Sequence, residues 1–193
     1  MNKKNFEVFG ILICAISTTF AFNQTDLDKA MALSNKLKAG LSVSEVEKDL
    51  SGVDLRNAHL IHADLRMANL SGANLHLADL SNSDLSGAVL NGAFLNYAIF
   101  TKAKLVGASL IGATMLGTHL NEANLSRTNL SKAMMQKASL EYANLEEAIL
   151  VRVVLHEAFF WGTRLTGADL SGAILDDCDK NRVREQGAIN VPE

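Results

Sequence analysis

The side chains that could do chemistry in this chain are five histidines (His59, His62, His76, His119 and His156), two cysteines and a scatter of carboxylates. His59 and His62 have the spacing of half a zinc site, but tetrahedral zinc takes three or four protein ligands and no third is placed with them. Cys14 sits in an apolar N-terminal run and Cys178 near the other end, so a chain that loses the first holds one thiol and no internal disulfide. No phosphate-cradling or dinucleotide glycine motif occurs. Matches to Asn-x-Ser such as Asn69-Leu70-Ser71 are by-products of a repeat. No serine or cysteine completes a nucleophilic triad, so the residues predict a non-enzyme with no catalytic, cofactor or metal site.

What positions these side chains is a five-residue unit that runs unbroken from residue 53 to residue 177. Every fifth residue from Leu55 to Leu175 is large and apolar, with Leu at all but four positions, where Phe100, Met115, Met135 and Phe160 stand. Two residues before each sits a small one, mostly Ala, otherwise Ser83, Thr118, Thr128, Thr163, Val53 or Val153. A spacing of two puts both on one side of extended chain, and recurrence at five demands a turn before each new pair. Ten of the thirteen glycines fall two residues after the large position, as at Gly52, Gly87 and Gly117, where a tight turn uses positive φ freely. Such fixed-period self-similarity predicts a solenoid whose units bury their apolar faces by stacking. All five histidines fall at outward offsets of this unit.

The unit A-(D/N)-L-x-x, as in Ala63-Asp64-Leu65-Arg66-Met67 and Ala168-Asp169-Leu170-Ser171-Gly172, resembles that of the pentapeptide-repeat family. The resemblance implies an all-β solenoid: a right-handed quadrilateral parallel β-helix, four pentapeptides to a coil, roughly 30 Å tall at ~4.8 Å per coil. Residues twenty apart then stack on one face. That would set His59 beside Asp79, but a filled rod offers no cleft for catalysis.

Residues 1–21 read as a secretory signal peptide, with Lys3 and Lys4, an apolar run from Val8 to Ile16, and Thr19-Phe20-Ala21 as a small-x-small cleavage site. The run is short of the ~20 residues that span a bilayer, so no membrane association is expected after cleavage at Ala21. Residues 22–52 predict a short N-terminal α-helical cap: Thr25 and Asp28 resemble a capping box, Leu27, Ala30, Met31 and Leu37 share a face, and Gly40 suits the stop. A second helical stretch is expected around Ser44 to Lys48. Residues 178–193 form a polar C-terminal tail that folds over the last coil or frays.

Sorted by face, Leu77, Phe94, Tyr97, Leu116, Met134, Val154 and Ile174 collect into one apolar stripe of the kind that marks an interface. Ile99, Phe159 and Trp161 form a second cluster beside it, with Trp161 the favoured contact residue. Another face stacks Asp64, Asp84, Lys104, Asn124, Asn144 and Arg164, implying an Asp84–Lys104 pair, with Arg127 near Glu147.

A net charge of −3 gives no basic patch for nucleic acid and little support for an acidic mimic of it. The expectation is therefore a periplasmic or secreted protein of a Gram-negative-type bacterium, a non-catalytic interaction or scaffold module for a protein partner, which a second copy of itself could supply. The resemblance also implies an alternative: a cytoplasmic rod shaped like duplex DNA that binds DNA gyrase and protects it from quinolones. That reading requires the leader to remain uncleaved.

Overall fold

The computed structural model describes residues 23–40, 44 and 47–193. The expected signal peptide lies outside them.

Parallel bridges join residues twenty apart along the whole repeat, from Asp49↔Asn69 to Asp169↔Ile189, so each coil has four sides of five residues. The ladder starts four residues before the expected boundary at residue 53. The strands implied by the resemblance shrink to single bridging residues. Each side spends two residues on a turn and two on inward-facing positions, which leaves one to pair outward.

Hydrogen bonding in each side follows from that division. Leu55 N–H and Asn57 N–H donate upward to Asn74 and His76 carbonyls at 2.8 and 2.9 Å, and Asp79 N–H donates downward to the Ala58 carbonyl at 2.9 Å. Ala58 N–H closes the turn on the Leu55 carbonyl at 3.1 Å. One turn N–H per unit is left over, two residues after the outward position. Wherever that outward position is Asp or Asn, from Asp49 to Asp169, its side-chain oxygen takes the remaining proton. This Asx turn gives the D/N of the repeat its physical reason.

Inside, the large column and the small column beside it are buried throughout. The hydroxyls that replace Ala there are satisfied by carbonyls: Ser83 and Thr128 donate to Leu80 and Leu125 at 2.6 Å, Thr118 to Leu95 at 3.0 Å and Thr163 to Leu140 at 2.8 Å. The second turn residue takes φ near +60° at each of the turns from residue 52 to residue 172. Glycine holds ten of these turns and fifteen other residues hold the rest, none of them β-branched.

Helix α1, Gln24–Lys38, buries Leu27, Ala30, Leu33 and Ser34. Its start differs from the Thr25–Asp28 capping box: Asn23 is the N-cap, its Oδ1 accepting from Thr25 N–H at 3.1 Å, and Asp28 accepts from Gln24 Nε2. Asn is as good a cap as Thr, and it precedes the apolar face by a full turn. Two α1 side chains satisfy downward donors of the first coil: Asp26 Oδ2 accepts from Asp54 N–H and Ser34 Oγ from Asp64 N–H, both at 2.9 Å. Near the expected second helical stretch, Ser44 and Glu47 bond reciprocally through side chain and backbone. Lys36 of α1 pairs with the same Glu47 and, with the Ser44 bonds, holds its carboxyl down at about 2.

The expected tail folds over the last coil, with a different boundary and form. Helix α2, Asp177–Glu185, begins on the last residue of the repeat and buries Asp179 and Val183. The chain then rejoins the ladder: Gly167 N–H donates to the Gly187 carbonyl at 2.9 Å, and Ile189 N–H to the Ala168 carbonyl at 2.8 Å. Polar as Asp177–Glu185 is, Asp179 and Val183 are its buried residues among those described, and so unlike a pair makes no visible hydrophobic periodicity.

Candidate protein-binding surface

The outward column at the centre of the expected stripe is built as the spacing predicts. Phe94, Thr114, Met134, Val154 and Ile174 bridge one to the next over five coils. Phe94, Met134 and Ile174 are 50%, 42% and 56% exposed, and Val154 is half-buried. Thr114 is the one polar member, and its Oγ1 is buried with no hydrogen-bond partner among the described residues. On the adjoining corner stand Leu77 and Tyr97, both in left-handed turn positions, and half-buried Leu116. Tyr97 lies over the backbone of Gly117, its Cε1 2.7 Å from where a Cβ there would stand, and meets His76 edge-on at a centroid distance of 6.0 Å.

This stripe gives up part of the repeat's own bonding. Where Phe94, Met134, Val154 and Ile174 replace Asx, the N–H groups of Asn96, Gln136, His156 and Asp176 have no protein acceptor among the described residues. Leu116 keeps its bond by another route, donating to Asn96 Oδ1 of the coil below at 2.9 Å. Exposing apolar atoms while dropping an available hydrogen bond is unfavourable for a solitary rod.

The second cluster is regrouped. Ile99 is separated from Phe159 by His119 and Ser139, so it stands three coils away and does not join it. The partner of Trp161 is Tyr142, whose hydroxyl accepts from Trp161 Nε1 at 3.0 Å. Tyr142 is itself laid flat on Gly162, its Cδ1 2.5 Å from the place of a Cβ there. With Phe159 and Trp161 at 58% and 65% exposure, these rings border a shallow notch closed on its upper side by Asp179 and Arg182 of α2. Sequence reasoning missed Tyr142, although a glycine twenty residues after an aromatic was there to be read.

The polar face stacks in the expected order from Asp64 to Arg164. Its pairing differs: Asp84 accepts from Ser86 N–H instead of joining Lys104, and Arg164 reaches sideways to Glu146 at 2.5 Å. Arg127 and Glu147 do pair, at 2.8 Å. His59 bridges to Asp79, whose carboxylate is taken by Ser81 through both N–H and hydroxyl. Among the described residues no cluster of three or more His, Cys, Asp or Glu could hold a metal ion, and no helix is long and apolar enough to cross a membrane.

Eight copies of the pentapeptide repeat profile match the chain, over residues 49–87, 78–117, 115–150 and 148–179. Among solved structures, a trypsin-treated form of QnrB1, described as a plasmid-mediated fluoroquinolone resistance protein, superposes with a TM-score of 0.59 at 21% identity, covering 72% of this chain and 82% of that one. HetL, a pentapeptide repeat protein involved in heterocyst differentiation regulation from the cyanobacterium Nostoc sp. strain PCC 7120, matches at 29% identity over 65% of this chain and 69% of its own, with a TM-score of 0.34. Rfr23 from the cyanobacterium Cyanothece 51142 matches at 27% identity over 75% and 99%, with a TM-score of 0.41. No curated protein matches the chain. At 21% identity the likeness to QnrB1 is one of fold.

Proposed function

The chain belongs to the pentapeptide repeat family, and from that premise we propose that it is a non-catalytic interaction or scaffold module that docks a protein on the Phe94–Ile174 stripe. The observation that carries this reading is the exchange made along that column: four Asx turns are replaced by exposed Phe94, Met134, Val154 and Ile174, bridged through Thr114 into a continuous surface. A docked partner offsets that exchange by covering the apolar atoms. The filled interior supports a role without catalysis, because the reacting groups of an enzyme need a cleft.

The leader features at residues 3–21 support a periplasmic or secreted site of action. They weigh against the gyrase reading, as does the charge distribution: no bridging column is acidic from end to end, the most charged running Asp64, Asp84, Lys104, Asn124, Asn144, Arg164. Within the proposal, α1 acts as a cap, its Asp26 and Ser34 occupying edge donors that would otherwise template another chain.

The double substitution Phe94→Asp with Met134→Asp is expected to weaken capture of an envelope partner, or self-association, by at least about tenfold. Crosslinking and sedimentation that give the same partners and the same mass for both proteins overturn the surface assignment. Intact mass after cell fractionation tests the location separately: a species beginning near Phe22 in the periplasmic fraction supports it, and a full-length cytoplasmic species removes it.

A further inference from the structure

On the face next to the stripe, at the C-terminal end of the rod, the notch below α2 combines aromatic rings with carboxylates. Phe159 and Trp161 both line it. The orientation of Trp161 is fixed at both ends of a short relay: its Nε1 donates to the Tyr142 hydroxyl, and the Tyr142 ring rests on Gly162, where any larger residue would collide with it. An exposed indole held in place in this way presents a preset π-face.

The charges around it are of one sign in excess. Glu141, one coil below Trp161, and Glu157 line the notch with it. Glu157 already meets Lys137 at 3.4 Å and His156 at 3.3 Å, and Arg182 above is neutralised by Asp179 at 2.7 Å. The Glu141 carboxylate accepts only the Asn121 side-chain amide, at 3.1 Å, and joins no cation among the described residues. An unpaired carboxylate beside a fixed indole face is complementary to a cation, which gains from the ring quadrupole and from the charge together.

We infer that the notch is a receptor for a basic side chain, arginine or lysine, projecting from a protein partner: the group lies against Trp161 and Phe159 and its charge faces Glu141. This surface is separate from the stripe, so either assignment stands if the other fails.

Trp161 is the single tryptophan of the chain, so its emission reports on this site alone. The experiment titrates the purified full chain with Nα-acetyl-arginine amide, with the uncharged isostere Nα-acetyl-citrulline amide, and with a chitin trisaccharide. The arginine amide is expected to change the emission saturably and the citrulline amide to have no saturable effect. Glu141→Gln is expected to weaken the arginine response about threefold to fivefold, an exposed-pair effect. Tyr142→Phe, which frees the indole N–H but keeps the ring on Gly162, should broaden the emission and weaken the response as well. Equal responses to arginine and citrulline, an unchanged titration in Glu141→Gln, or saturation by the trisaccharide alone each overturn the inference, the last assigning the shelf to sugars. The stripe variant Phe94→Asp, Met134→Asp should titrate like the parent chain, and a lost response there would also refute two independent surfaces.

Discussion

Met134 shows how one outward residue serves either the rod or its surroundings. In this repeat an Asp or Asn at that position accepts the turn N–H two residues on, as Asn129 does for Ser131 at 3.0 Å. Met134 leaves Gln136 N–H without a protein acceptor among the described residues and is itself 42% exposed. Met134→Asn should therefore raise stability in urea by about 0.5–1 kcal/mol, the net worth of a typical hydrogen bond, while weakening partner capture. Lower stability in the variant would show that Met134 is held by its column neighbours Thr114 and Val154 and not by an absent partner. The two readouts move in opposite directions only if the residue is there for binding. That the column would be apolar was legible in the sequence once the period was known. The bond it forgoes was not, because an Asx turn is a property of backbone geometry that residue types do not announce.

At the scale of elements, the rod depends on how its two ends are finished. Ser34 is fully buried and its hydroxyl accepts from Asp64 N–H at 2.9 Å. Ser34→Ala should cost about 1–2 kcal/mol and expose the Asp64 amide to faster hydrogen exchange than amides in mid-rod. Equal exchange at both places would mean that α1 does not protect the edge. At the other end, the Asp176 carboxylate accepts from Glu157 N–H at 2.7 Å and meets His156. The Glu157 bond, opposed by desolvation and aided by His156, holds this carboxyl below its ordinary value of 3.8. A value lowered by folding makes the contribution complete above the unfolded value and removes it as pH falls through the folded one, so the junction with α2 should loosen only below 3.8. Glu157 amide protection compared at about pH 6 and about pH 3 checks this, and Asp176→Ala should abolish the difference. Helix α1 could be read from the spacing of Leu27, Ala30, Met31 and Leu37, though the structure buries Leu33 where that reading had Met31 and Leu37. Helix α2 could not, because Val183 is its sole buried apolar residue among those described and the return of Ile189 to the ladder is a tertiary event.

Over the whole molecule, function depends on register, since a solenoid couples each unit only to its neighbours. Deleting residues 113–132 removes one full coil, keeps every column aligned and brings Phe94 directly beneath Met134. Deleting residues 123–127 removes one side, leaves the inward leucine pattern unbroken, and moves Met134, Val154 and Ile174 a quarter turn away from Phe94. Both variants should fold by circular dichroism, the first retaining partner capture and the second losing it. Equal capture by both would separate binding from the stripe. The architecture could be read because Leu at every fifth position fits no helix, whereas the notch at Trp161 needed coordinates to join Tyr142, Glu141 and Arg182 across three segments. The direction of the ladder carries a further consequence. In each side, two peptide groups aim N–H towards the C-terminal end, as at Leu55 and Asn57, and one aims the other way, as at Asp79. One peptide dipole per pentapeptide is left uncancelled, so the rod is an axial electric dipole with its positive pole at the C-terminal end. The Asp176 carboxylate lies at that pole and accepts one of its upward N–H groups, that of Glu157 at 2.7 Å, so it answers a charge carried by no side chain.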